Sequence, residues 1–320
     1  MLDFNGDRIR GGSSGHCKSM EISGRKIGRL EFRGGRCQKS RVTIRTRFAP
    51  SPTGRLHLGH VLAAKVARDL AREACGAFLL RHEDIDGPRV RAEFYKEIED
   101  DLTWLGLDWD EPALWQSTRA AAHDEALATL RERALVYPCF CTRREIQEEW
   151  SRMASAPQGP EGPLYPGTCL KLTSNAAAEK LASGAPHAWR LDSRKAAAET
   201  GALTFHDLRH GTIRADPGLL GDVVLARKDI GTAYHLAVVV DDHFQRISHV
   251  TRGEDLLPST HVHRHLQALL GLPEPVYLHH RLVTDENGKR LAKRDGSRSI
   301  AALREQGLTP AQVMGLLPPT

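Results

Sequence analysis

The chain has 320 residues, 40% of them apolar, and 45 Lys and Arg against 40 Asp and Glu, a formal charge of +5. That is a globular composition, long enough for one large core or two ordinary ones. It contains no run of 18 apolar residues to span a membrane and no N-terminal apolar segment of a secretory signal, so a cytoplasmic protein without membrane contact is expected. The six cysteines, Cys17, Cys37, Cys75, Cys139, Cys141 and Cys169, are too unevenly scattered for a disulfide framework and point to a reducing compartment.

The charge is not evenly spread. Residues 1–41 carry ten Lys and Arg and four Asp and Glu, a net of +6, which leaves −1 for the rest. This Gly- and Ser-rich, aperiodic segment reads as a basic, disordered extension. Two roles stay open for it: added RNA affinity through counterion release, or an inert tail set by the choice of start codon.

From Val42 to Phe48 the sequence alternates and is β-branched, which predicts a first strand. A Pro/Gly turn follows, then helical spacing from Val61 to about Ala74. Ala77 to His82 reads as a second, buried strand. Pro88 opens a helix whose apolar stripe runs from Arg91 to Leu105, and Thr118 to Leu135 predicts another. Residues 137–189 hold three cysteines and the Pro/Gly-rich stretch from Pro157 to Gly167, with little periodicity, as expected of an inserted subdomain. Ala188 to Leu191 is apolar again, and the Ala-Val-Val-Val of Tyr234 to Asp241 reads as a central strand. His261 to Leu270 is helical. Its alternating His261, His263 and His265 do not share a helix face, which predicts surface histidines. A loop from Asp285 to Ser297 precedes a short C-terminal helix or tail. The expected architecture is α/β: a Rossmann-type parallel sheet in two halves, 42–136 and 190–300, with 137–189 inserted and 301–320 as the tail. Ligands then belong at the carboxyl ends of the strands.

Within this frame, the fourteen residues from Arg47 to His60 (RFAPSPTGRLHLGH) place two histidines and a glycine where a helix begins. Helix N-termini present unpaired N–H groups and a positive dipole end, a ready site for phosphate. In the Asp285 to Ser297 loop, Lys293 lies within Arg290-Leu291-Ala292-Lys293-Arg294 and offers a movable point charge for a phosphate. Three thiols at Cys139, Cys141 and Cys169 can hold a tetrahedral structural metal, although no His or further Cys is well placed as fourth donor.

The fourteen-residue run resembles the HIGH signature of class I aminoacyl-tRNA synthetases in its glutamate-type form. Arg290 to Arg294 resembles the KMSKS loop, with Arg290 for the first lysine and Ala292 for the serine. Arg81-His82-Glu83-Asp84-Ile85-Asp86 resembles the glutamate-type RIEDID string, with His82 for isoleucine. The resemblance covers about residues 42–300. Full-length glutamyl-tRNA synthetases carry an anticodon-binding region after the lysine loop, whereas few residues follow Lys293 here, so the chain is most similar to the short paralogues, the glutamyl-Q tRNA(Asp) synthetases, without an anticodon-binding domain.

That resemblance implies activation of L-glutamate by ATP without tRNA, then transfer to the queuosine at the wobble position of tRNA(Asp), by a monomer. It implies His57, Gly59, His60, Arg290 and Lys293 on ATP with Mg2+, of which His57, His60 and Lys293 are catalytic. It implies Arg47, Phe48, Ala49, Pro50, Ser51, Glu83, Tyr234 and Arg252 around glutamate. The γ-carboxylate falls to Arg47 and Arg252 and the ammonium to Glu83, with Ser51. It implies Zn2+ held by Cys139, Cys141, Tyr165 and Cys169. Asp84 and Asp86 either cap the following helix or order its loop. Two other readings stay open: a truncated glutamyl-tRNA synthetase that charges a tRNA 3′ end, and a non-catalytic, synthetase-like RNA-binding protein.

Overall fold

The strand Arg45–Phe48 pairs in parallel with Ala77–His82, and that strand in parallel with Leu114–Trp115. On its other side the Ser248 N–H donates to the Arg45 carbonyl at 3.0 Å, and the Arg45 N–H donates to Ser248 Oγ at 2.8 Å. This brings His249–Gly253 alongside. That strand pairs in parallel with Val276–His280, and Val276–His280 with Thr204–Asp207, which carries the antiparallel edge Gly211–Arg214. The neighbours of Arg45–Phe48 thus come from about 30 residues on and about 200 residues on, so the winding reverses there. A crevice opens beyond the carboxyl ends at such a switch point. This computed structural model describes residues 21–22, 25–26, 43–153, 158–229, 231–283 and 299–318. Of the basic extension only the antiparallel pair Glu21–Ile22 with Arg25–Lys26 is described.

The first helix, Leu58–Glu73, starts three residues before the apolar spacing suggested. The reason is its cap: His57 Nδ1 accepts the Gly59 N–H at 3.1 Å, and His60 Nδ1 accepts the His57 N–H at 3.3 Å. Two imidazoles thus make the reciprocal box that Ser and Glu usually make. The helix buries Val61, Leu62, Ala64 and Ala67 in one core with Phe78 and Leu80 of the sheet and Ile98 and Leu102 of the helix Ala92–Trp104. Each large aliphatic side chain so buried contributes about 1.5–3 kcal/mol. The short helices Ile300–Glu305 and Pro310–Gly315 add Ile300 and Val313 to that core. Ile300 N–H donates to the Leu56 carbonyl at 2.9 Å, tying the chain end to the entry of the first helix.

An antiparallel sheet runs Val136–Cys139, Ala188–Leu191, Val224–Arg227, Gly231–Thr232, so it draws strands from both ends of the 137–189 span and from beyond it. Between the first two strands lie the helices Arg143–Arg152 and Ser174–Ala182.

Two expectations are corrected. The Ala-Val-Val-Val segment is not a strand: Tyr234–Phe244 is a helix. Its Leu236, Val238 and Val239 pack in a second core with Leu127 and Leu130 of the helix Ala120–Glu132 and with Val262 and Leu266 of the helix Leu257–Leu269. A helix enclosed on most sides has no long polar face, so its sequence mimics a buried strand. The histidines of Leu257–Leu269 are not on the surface either. His261, His263 and His265 are 8%, 3% and 1% exposed. They do occupy different faces, but Tyr234–Phe244 packs on one side and Ser193–Thr200 on another. His261 Nδ1 accepts the Asp216 N–H at 3.0 Å, and His265 Nδ1 meets Thr200 Oγ1 at 2.7 Å. Among the described residues no helix is long and apolar enough to cross a membrane.

Candidate active site

The crevice holds a cavity of about 490 Å3 whose wall includes Arg47, Phe48, Ala49, Pro50, Ser51, His57, Gly59, His60, Glu83, Tyr234 and Arg252. Every described residue expected at the nucleotide and glutamate sites therefore faces one space. Arg290 and Lys293 lie outside the described residues. Their flanks reach the same place: Val283 lines the cavity, and Ser299 forms an isolated β-bridge with His57.

At the helix end, both histidine Nδ1 atoms accept backbone N–H groups, which can only donate. In each neutral ring the hydrogen therefore sits on Nε2. The rings stack at 3.8 Å. A Cβ at Gly59 would stand 3.0 Å from His57 Cε1, so a side chain there would press on that ring.

The guanidiniums are treated very differently. Arg47, 5% exposed, donates from Nε and Nη2 to Asp242 Oδ1 and Oδ2 at 2.8 and 3.3 Å, and from Nη1 to the Thr251 carbonyl at 3.1 Å. Arg81, fully buried, donates from Nη1 to Asp242 Oδ1 at 2.8 Å and to Gln245 Oε1 at 3.1 Å, and from Nη2 to Glu83 Oε1 at 3.2 Å. Arg252, 6% exposed, has only neutral partners among the described residues: His279 Nε2 at 3.2 Å, Tyr234 Oη at 3.1 Å, His263 Nδ1 at 3.2 Å and Thr260 Oγ1 at 2.5 Å. His263 also meets His235 Nδ1 through Nε2 at 3.1 Å. Burial and the Arg252 charge depress both imidazoles, His235 to about 4, so they are neutral acceptors. Burial pushes the Glu83 carboxyl up, partly offset by Arg81 and Arg47. Arg47 and Arg81 thus touch carboxylates directly, whereas Arg252 touches none among the described residues and suits an anionic ligand, while Glu83 suits a cationic one.

Comparison with known proteins decides the family. The family described as "tRNA synthetases class I (E and Q), catalytic domain" matches residues 43–317. A Rhodobacter capsulatus protein named glutamyl-Q tRNA(Asp) synthetase is 48% identical over 281 residues, 85% of this chain and 99% of that protein. A Nocardia farcinica protein of the same name is 47% identical over 271 residues, 85% of this chain and 82% of that protein. The chain belongs to the glutamyl-Q tRNA(Asp) synthetase family. It is a class I synthetase-like ligase. Among solved structures, a glutamate tRNA ligase from Elizabethkingia meningosepticum, in complex with its amino acid, matches with a TM-score of 0.68 at 29% identity, over 80% of this chain and 53% of that one. The chain spans about half of that ligase's length.

In this synthetase the three expected thiols converge. Cys139, Cys141 and Cys169 lie with all sulfurs within 4.8 Å of one another, and among the described residues they can hold a metal ion. Tyr165 Oη is 3.3 Å from Cys139 Sγ and 3.4 Å from Cys141 Sγ, and it accepts the Cys169 N–H at 2.9 Å. Thiolates at about 2.3 Å from a tetrahedral ion stand about 3.8 Å apart, and Cys141 and Cys169 are already at 3.4 Å. The donor set fits such an ion. The neighbouring Cys139 thiol pulls Cys169 down to about 6, and Cys169 together with burial pushes Cys139 up. Arg190 stacks over the Tyr165 ring at 3.9 Å.

Asp84 orders a loop rather than capping a helix: it accepts the Ser117 N–H and hydroxyl at 2.6 Å each and the Tyr95 hydroxyl at 2.7 Å. Asp86 makes no cap bond and pairs with Arg89. Sequence reasoning missed Arg81, Asp242, Asp207, Thr260, His263 and His279. Asp242 had a signal, an acid at the end of an apolar run, which is costly unless paired. A second cavity of about 530 Å3 shares Ser51, Glu83 and Tyr234 with the first and carries Arg89, Arg143, Arg190 and Arg227 on its wall.

Proposed function

We propose that this synthetase activates L-glutamate with ATP and transfers it to the queuosine base at the wobble position of tRNA(Asp). One observation carries the glutamate assignment: Arg252 is buried in the wall of the cavity with four hydrogen bonds and no carboxylate among their acceptors. A substrate γ-carboxylate completes it, with Arg47 at its side. Glu83 and Ser51 receive the ammonium. The α-carboxylate then points toward His57 and His60.

In the first step an α-carboxylate oxygen attacks the α-phosphorus of ATP, and the bond to pyrophosphate breaks. His57 and His60 donate from Nε2 to the phosphate oxygens as charge develops, Gly59 keeps the approach open, and Lys293 and Arg290 of the basic loop add positive charge. Mg2+ accompanies ATP. Position and electrostatics carry this step, with no protein nucleophile. In the second step a hydroxyl oxygen of the queuosine cyclopentenediol attacks the acyl carbon, and AMP leaves. The second cavity, which shares Ser51, Glu83 and Tyr234 with the first and is lined by four arginines, suits the approach of phosphate-bearing RNA. Cys139, Cys141, Tyr165 and Cys169 would hold Zn2+, which would brace the adjoining subdomain away from the reacting atoms.

The test is transfer of labelled glutamate to tRNA(Asp) prepared with and without queuosine. Label on the queuosine-containing tRNA alone is the expected result. Equal label on both would move the acceptor to the 3′ end, the truncated glutamyl-tRNA synthetase reading.

A further inference from the structure

Arg252 is left without a direct carboxylate, yet a buried anion stands two bonds of hydrogen away. We propose that Asp207, acting through His279, is a positioning residue for Arg252: it fixes the imidazole with its hydrogen on Nδ1, so that Nε2 presents a lone pair to the guanidinium. This rests on the glutamate reading above.

The geometry is closed at every link. Asp207 and His279 are fully buried, and their strands run side by side in parallel. Asp207 Oδ2 accepts from His279 Nδ1 at 2.7 Å and from the His279 N–H at 3.0 Å. Its Oδ1 accepts the N–H groups of Arg209 and His210 at 2.8 and 2.9 Å. An ionised carboxylate can only accept, so Nδ1 must carry the hydrogen. His279 Nε2 is then an acceptor, 3.2 Å from Arg252 Nε and 3.0 Å from Thr260 Oγ1. Thr260 Oγ1 in turn accepts from Arg252 Nη2 at 2.5 Å. Burial holds His279 at about 4, against the pull of Asp207, so the relay adds no second positive charge.

The contrast with Arg47 gives the arrangement its purpose. A carboxylate touching a guanidinium occupies its fork, as Asp242 does on Arg47. Through His279 the negative charge of Asp207 offsets the buried Arg252 at a distance, with no carboxylate on the guanidinium itself. Nε, both Nη1 hydrogens and one Nη2 hydrogen go to neutral protein groups, and the remaining Nη2–H is left for the substrate carboxylate.

Asp207→Asn replaces one acceptor by an NH2 donor. When that donor faces His279, the imidazole hydrogen moves to Nε2 and meets Arg252 Nε–H, donor against donor. The expected result in pyrophosphate exchange is a rise of about tenfold to a hundredfold in the KM for glutamate, the worth of a lost bond to a charged group, with the KM for ATP changed by less than about threefold. His279→Gln supplies an amide oxygen near the Nε2 position without needing Asp207, so the double variant Asp207→Asn with His279→Gln regains most of the loss. Long-range 1H–15N NMR, with His279 assigned by its loss in His279→Gln, reads the tautomer directly. Hydrogen on Nδ1 in the wild type and on Nε2 in Asp207→Asn is expected. A folded Asp207→Asn with unchanged glutamate KM, or an Nε2–H tautomer in the wild type, overturns the relay. If Asp207→Asn does not fold, the wild-type tautomer and the retained glutamate KM of His279→Gln decide. Failure of the wild type to exchange with glutamate sinks the glutamate reading instead, and the tautomer still reports on the relay.

Discussion

Arg47 and Asp242 grip each other through two hydrogen bonds, at 2.8 and 3.3 Å, and the same carboxylate takes Nη1 of Arg81 at 2.8 Å. One buried acid on the helix Tyr234–Phe244 thus anchors guanidiniums from two neighbouring strands. Asp242→Asn leaves two buried cations short of their anion. The expected loss is about 3–5 kcal/mol of unfolding free energy, read from urea melts. A midpoint equal to the wild type would contradict the anchoring role.

Arg252 predicts the opposite balance. Its charge is buried without a touching carboxylate, so Arg252→Met removes an incompletely compensated cation. Thermal unfolding should stay within about 1 kcal/mol of the wild type or rise, while glutamate-dependent exchange falls by two orders of magnitude or more, about 3 kcal/mol. A large loss of stability with near-normal glutamate KM would place Arg252 in the scaffold.

Acid should weaken the fold before the carboxylates titrate. Burial sets His279 and His235 at about 4 in the folded chain, whereas an unfolded histidine lies near 6.5. Below about pH 6.5 the unfolded chain binds protons that the folded chain refuses. The stability is whole above that pH and falls as the pH drops toward 4, by up to about 3 kcal/mol for each histidine. Asp207 adds a later loss: burial pushes it up, but His279 and two backbone N–H groups hold it at about 2, so its contribution fades between about 4 and 2. Unfolding followed from pH 8 to 4 should show the decline begin near 6.5. A flat profile down to pH 5 would contradict the buried neutral histidines.

The thiol cluster makes a prediction about metal. The purified chain should carry about one zinc ion, and Cys169→Ala should reduce that content and lower the melting temperature. Chelation of the wild type should do the same. Full stability after complete zinc removal would mean the cluster is held by its own hydrogen bonds.

Much of the site was legible because its residues cluster in short strings: Arg47 to His60 spans a strand end, a turn and a helix cap, and Glu83 ends the next strand. What hid was the compensation of charge across long separations. Asp242 lies 195 positions from Arg47, and Asp207 lies 72 from His279. The Ala-Val-Val-Val run misled because a helix enclosed by neighbours shows no amphipathic stripe. The three histidines of Leu257–Leu269 misled because spacing tells which face a residue occupies, and not whether that face is covered. Arg290 and Lys293 are read from the sequence alone, since they fall outside the described residues.

The central claim is that the Arg252 pocket selects glutamate for adenylation. The most direct measurement is ATP–pyrophosphate exchange with a panel of amino acids and no tRNA. The account predicts exchange with glutamate, little with glutamine or aspartate, and loss of it in Arg252→Met. Exchange that does not depend on glutamate, or that survives in Arg252→Met, would contradict it.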